Sequence, residues 1–103
     1  DASLANNLAE PLAALIVSGG DRPATEGFAR RLAAVAPRHD QIVVLGPAEA
    51  PLAVIKGRYR FRLLAKAARG ADLSSYLRQW VAGAHKPTGS LKLEIDVDPQ
   101  SFL

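Results

Sequence analysis

A chain of 103 residues, 49% hydrophobic and with 13 Lys and Arg against 10 Asp and Glu, has room for one domain built on one core. It contains no cysteine, which excludes a disulfide frame, a thiolate metal site and a cysteine nucleophile. The longest strongly apolar run, Leu12 to Val17, is far short of the roughly 20 residues that cross a bilayer.

The opening Asp-Ala-Ser has no basic stretch of the kind that begins a signal peptide, so a cytoplasmic protein without a membrane partner is expected. The missing initiator Met points to a fragment or a processed chain. Residues 1–11 show weak periodicity and read as a leader of uncertain structure, with the domain running over 12–103. Leu12 to Val17 is a buried strand, favoured by β-branched Ile16 and Val17 and closed by Ser18-Gly-Gly-Asp21. Asp21 is placed to cap a helix that carries Pro23 in its first turn. Phe28, Leu32 and Val35 form the apolar face of that helix, which ends before Pro37. Gln41 to Leu45 reads as a second strand ended by Gly46-Pro47. The stretch from Pro47 to Gly57 reads as a loop, with Leu52 to Ile55 partly extended.

The third strand carries the cleanest pattern in the chain. In Arg58-Tyr-Arg-Phe-Arg-Leu-Leu-Ala-Lys66, Tyr59, Phe61 and Leu63 point one way and Arg58, Arg60 and Arg62 the other. Gly70 ends it. Asp72 then caps a helix on which Leu73, Tyr76, Leu77, Trp80, Val81 and Ala84 share a face. His85 to Ser90 is a turn, and Leu91 to Asp98 is the last strand, with Leu91, Leu93, Ile95 and Val97 inward. The order β-α-β-β-α-β predicts an α+β, split-βαβ or ferredoxin-like sandwich. Its four-stranded antiparallel sheet would carry both helices on one face, with the first and third strands at the centre.

The charge is unevenly spread. Lys56, Arg58, Arg60, Arg62, Lys66 and Arg69 fall within fourteen residues that contain no acid, while the other 89 residues hold seven basic and all ten acidic side chains. Arg58, Arg60 and Arg62 repeat about every 6.6–6.8 Å along one sheet face, close to the phosphate spacing of a nucleic-acid strand, and guanidinium groups offer phosphate bidentate donors. A merely solvated outer face is the plain alternative. Tyr59, Phe61 and Trp80 fall on core faces, so base stacking on aromatics is not expected. Glu94, Asp96 and Asp98 alternate on the last strand and read as solubilising charges or partners for nearby arginines rather than a metal site. Phosphate-loop, dinucleotide and zinc-protease motifs are absent from the chain, and no residue set reads as catalytic.

One ordered set of segments goes further. Val44-Leu-Gly-Pro-Ala-Glu-Ala-Pro-Leu52, then Gly57-Arg-Tyr-Arg-Phe-Arg-Leu-Leu64, then Ile95-Asp-Val-Asp-Pro99 together resemble the C-terminal domain of the PriA (primosomal protein N′) family, which restarts stalled bacterial replication forks. Ala14 to Ser18 and Phe28-Ala-Arg30 also fit, and the match covers about residues 12–103. The family's usual Pro-Pro-Phe-Gly lead-in is replaced here by Asn6 to Pro11, and nothing carries over to that stretch.

The resemblance implies a parent that is an ATP-dependent 3′→5′ DNA helicase using magnesium and zinc, with its motor and zinc ligands outside this chain and no enzyme activity in the fragment. It implies as partners branched DNA, single-stranded DNA-binding protein, the parent's other domains and primosome proteins. The DNA-binding residues expected on this basis are Lys56, Arg58, Arg60, Arg62, Lys66 and Arg69. The rival expectation is an interaction module whose Arg78, or the same stripe, seats the acidic, hydrophobic-ended tail of single-stranded DNA-binding protein.

Overall fold

The structure, a computed structural model, describes residues 10–55 and 57–97, and only the backbone for residues 51–55. Six elements follow in chain order: strand β1 (Leu12–Gly19), helix α1 (Arg22–Ala34), strands β2 (Ile42–Ile55) and β3 (Arg58–Ala67), helix α2 (Leu73–Gly83) and strand β4 (Lys92–Val97). All strand pairings are antiparallel, in the spatial order β2-β3-β1-β4. This is the α+β ferredoxin-like arrangement, with β1 and β3 central as the element order requires.

Both helices cover the same sheet face. Ala13, Leu15 and Val17 of β1 and Phe61, Leu63 and Ala65 of β3 form one buried cluster with Phe28, Ala29 and Leu32 of α1 and Leu73, Tyr76, Leu77 and Trp80 of α2. The period of two in the strands and the three-to-four spacing in the helices supply those positions. Each helix starts where the sequence provides a carboxylate. The Asp21 side chain accepts from the Ala24 N–H at 2.9 Å, and Asp72 accepts from the Ser75 N–H at 3.0 Å. These bonds satisfy donors that a helix N-terminus otherwise leaves without partners. Trp80, fully buried, donates its indole N–H to the Leu32 carbonyl at 2.9 Å and fastens α2 to the last turn of α1.

The structure departs from the sequence reading in the second strand. Residues 47–55 are not a loop: β2 continues through Gly46-Pro47 to Ile55, with register shifts between Leu45 and Ala48 and between Glu49 and Val54. Gly46 makes this passage possible. Its φ is +104°, and a Cβ there would stand 2.7 Å from the Arg62 carbonyl oxygen. A glycine in a bulged edge strand lets the two backbones approach.

Four residues expected inside are partly in water. Val35 is the C-cap of α1 and 40% exposed, because the helix has ended before it can turn inward. Val81, Ile95 and Val97 are also exposed. The last two lie on the helix side of β4, an edge strand that α2 leaves partly uncovered. Asp98 and residues 1–9 lie outside the described residues. Of the expected leader, Glu10 and Pro11 are tied to the sheet: the Ala67 N–H donates to the Pro11 carbonyl at 2.9 Å, and Glu10 pairs with Lys66. Among the described residues, no helix is long and apolar enough to cross a membrane.

Candidate nucleic-acid interface

The alternation of β3 continues along its length. Phe61, Leu63, Ala65 and Ala67 are buried beneath the helices, while Arg58, Arg60, Arg62, Leu64 and Lys66 occupy the opposite, uncovered face. Register then fixes their neighbours. Arg62 stands opposite Ile16 of β1 and Ala48 of β2, Arg60 opposite Ser18, and Leu64 between Ala14 and Leu45. The three arginines are only partly exposed, since their aliphatic stems lie over the sheet while the charged ends reach water. Arg58 and Arg60 in this way shade Ser18, and Ala14 lies between Leu64 and Asp96, so both small residues are buried although no helix covers them.

The six expected DNA-binding residues separate into distinct roles. Among the described residues, Arg60 and Arg62 make neither an ion pair nor a side-chain hydrogen bond. Arg58 is held in place: its Nη2 donates to the Ser90 carbonyl at 2.7 Å and to the Ser18 hydroxyl at 3.1 Å. It pins the start of β3 to β1 and to the turn before β4. Lys66 forms an ion pair with Glu10 at 3.3 Å, so the acid missing from residues 56–69 arrives from the leader. Arg69 is exposed on the turn after β3, and Lys56 lies outside the described residues.

The acidic side of the face is separate from the basic one. Glu94 and Asp96 of β4 stand opposite Ile16 and Ala14, one strand beyond the arginines. Among the described residues neither makes an ion pair, so they do not neutralise the stripe as the sequence allowed. The face is cationic at β3, while on β4 exposed Lys92 stands opposite Ser18 at the Arg60 end and the acids Glu94 and Asp96 follow toward the other end. No three His, Asp or Glu side chains among the described residues come together as a metal-binding group.

Sequence reasoning missed the apolar members of this face. Val43 and Leu45 are 56% and 49% exposed; Val43 stands opposite Lys66 and Leu45 opposite Leu64, and Leu64 and Ile16 continue the apolar surface to Arg62. One signal for them lies in the sequence: Leu64 shares the parity of the three arginines.

Arg78 lies elsewhere, on α2 at the other side of the molecule. With Leu77, Val81, Ala82 and Ile95 it lines a shallow apolar groove between α2 and β4, and its Nη2 donates to the Ser75 hydroxyl at 3.0 Å.

The model of the primosomal protein N C-terminal domain matches residues 9–100. Among curated proteins, the replication restart protein PriA of Rickettsia prowazekii (strain Madrid E) is 33% identical over 90 residues, which cover 87% of this chain and 14% of the relative. The proteins of the same name from Rickettsia felis and Rickettsia typhi are 33% and 32% identical over the same shares. The chain thus spans about a seventh of the length of the curated relatives it matches.

Proposed function

The chain belongs to the primosomal protein N C-terminal domain family, and from that membership we propose that it serves replication restart as a non-catalytic module that holds branched DNA by its phosphates. The observation that carries this reading is the pair Arg60 and Arg62, side by side on an uncovered sheet face and without a carboxylate partner among the described residues. Contacts of this kind position a nucleic acid without reading base edges. Affinity is then modest, salt-dependent and indifferent to sequence. Arg58, fixed by its two hydrogen bonds, adds a rigid third charge, and Lys56 and Arg69 add to the positive charge that steers DNA to the face, whereas the charge of Lys66 is offset by Glu10.

The motor belongs to the rest of the parent, an ATP-dependent 3′→5′ helicase carrying magnesium and zinc. This chain has no cysteine and no phosphate-loop motif to fit those groups, and no step in its own action runs through them. Fork-DNA binding across a salt series tests the reading. The Arg60→Ala, Arg62→Ala double variant is expected to weaken binding and to flatten the logarithmic salt slope by about 0.7–0.9 for each phosphate that the variant no longer neutralises. An unchanged slope and affinity would remove the stripe from the interface.

A second reading rests on the groove beside Arg78. A cationic side chain at the rim of an apolar trough suits an acidic peptide with a hydrophobic end, such as the tail of single-stranded DNA-binding protein. NMR titration with a tail peptide separates the two surfaces. Shifts confined to Leu77, Arg78, Val81 and Ile95 support it, and shifts confined to β3 exclude it.

A further inference from the structure

The open face is not uniformly basic. Arg62 is bordered by Ile16 and Ala48 on the flanking strands and by Leu64 on its own, and Leu45 stands opposite Leu64. Val43 and Leu45 are 56% and 49% exposed at the β2 edge. Single exposed apolar side chains need no explanation, whereas a contiguous group marks a binding surface. This group lies against one side of Arg62, a cation that makes no ion pair among the described residues.

Duplex DNA meets a flat face of this kind chiefly with phosphates, because its base faces are stacked inside and only base edges are open in the grooves, so Leu45 and Leu64 would find no base face to cover. An unpaired strand presents both phosphates and free base faces. We infer that the open face takes an unpaired stretch of DNA, with its phosphates on Arg60 and Arg62 and its base faces on Leu45, Leu64 and Ile16. The inference rests on the phosphate-binding reading above and names the part of the branched DNA that is held. Aliphatic contacts have no hydrogen-bond code, so the surface discriminates between unpaired and paired strands and not between sequences. The acidic residues Glu94 and Asp96 repel the strand from β4 at the level of Arg62 and Leu64, whereas Lys92, opposite Ser18, leaves β4 cationic beside Arg60.

The test is a titration of the full chain with an oligothymidylate, an abasic strand of equal phosphate count, and a duplex. The oligothymidylate is expected to bind at least about fivefold tighter than the abasic strand, as removing about 40 Å² of apolar surface from water at ~25 cal/mol per Å² implies. Leu45→Ser, at an exposed position, is expected to remove most of that difference while leaving abasic binding and its salt slope in place. Arg60→Ala weakens binding of both strands. Leu45→Trp is expected to tighten the oligothymidylate complex and to lose indole emission on binding it.

Equal affinity for the two strands, unmoved by Leu45→Ser, overturns the inference but leaves the phosphate reading standing if Arg60→Ala still lowers the slope. If Arg60→Ala has no effect either, both fall. An acidic, apolar-ended peptide or a second copy of the chain engaging Leu45 in place of either oligonucleotide also overturns the inference.

Discussion

Asp72 accepts two hydrogen bonds from Ser75, one from its backbone N–H and one from its hydroxyl at 2.7 Å, and these hold its carboxyl below the ordinary value of 3.8. A lowered native pKa means that the stabilisation is fully present above the unfolded value and is lost as pH falls through the native one. Asn also caps helices well, so Asp72→Asn is expected to fold and to melt below the wild type at neutral pH. The gap should close on acidification through and below pH 3.8; a gap that stays constant in a pH series of thermal melts would deny the carboxylate this role. Trp80 acts through a different bond, to the Leu32 carbonyl inside the core. Trp80→Phe keeps a ring there and removes the donor, at an expected cost of about 1–3 kcal/mol, read by denaturant unfolding. DNA affinity of the folded variant should not change, because the arginines lie on the other face of the sheet.

At the scale of elements, β3 depends on its edge neighbour. Gly46 allows the bulged β2 to pass against the Arg62 carbonyl. Gly46→Ala puts a Cβ into that space and forces a left-handed φ on a residue that disfavours it, at an expected cost of about 1–3 kcal/mol. Because the disturbance falls at Arg62, fork-DNA affinity should drop together with stability; a variant as stable as the wild type would contradict this packing. The remaining strands and both helices were legible in the sequence, since their apolar spacing agrees with the faces they bury. The continuation of β2 was not. Gly46, Pro47 and Pro51 are local breakers, and only pairing with β3, a long-range contact, keeps the chain extended through them. Ile95 and Val97 follow the right period as well, yet periodicity tells which side a residue faces and not whether a helix reaches far enough to cover it.

For the molecule as a whole, the two sheet faces divide the work: the helices seal one, and the other carries the cationic stripe of β3. The arginine trio could be read from the alternation around Arg60. Which of the basic residues from Lys56 to Arg69 were already engaged could not, because Glu10 reaches Lys66, and Ser18 and Ser90 reach Arg58, only through the fold. Leu45 joins the face by register alone. Backbone chemical-shift mapping of the full chain with a forked oligonucleotide tests the central claim most directly. Perturbations gathered on Ile16, Ser18, Arg60, Arg62 and Leu64 and absent from the outward residues of α1 and α2 are the expected result. Perturbations on the helical side, with Arg60 and Arg62 unmoved, would contradict it.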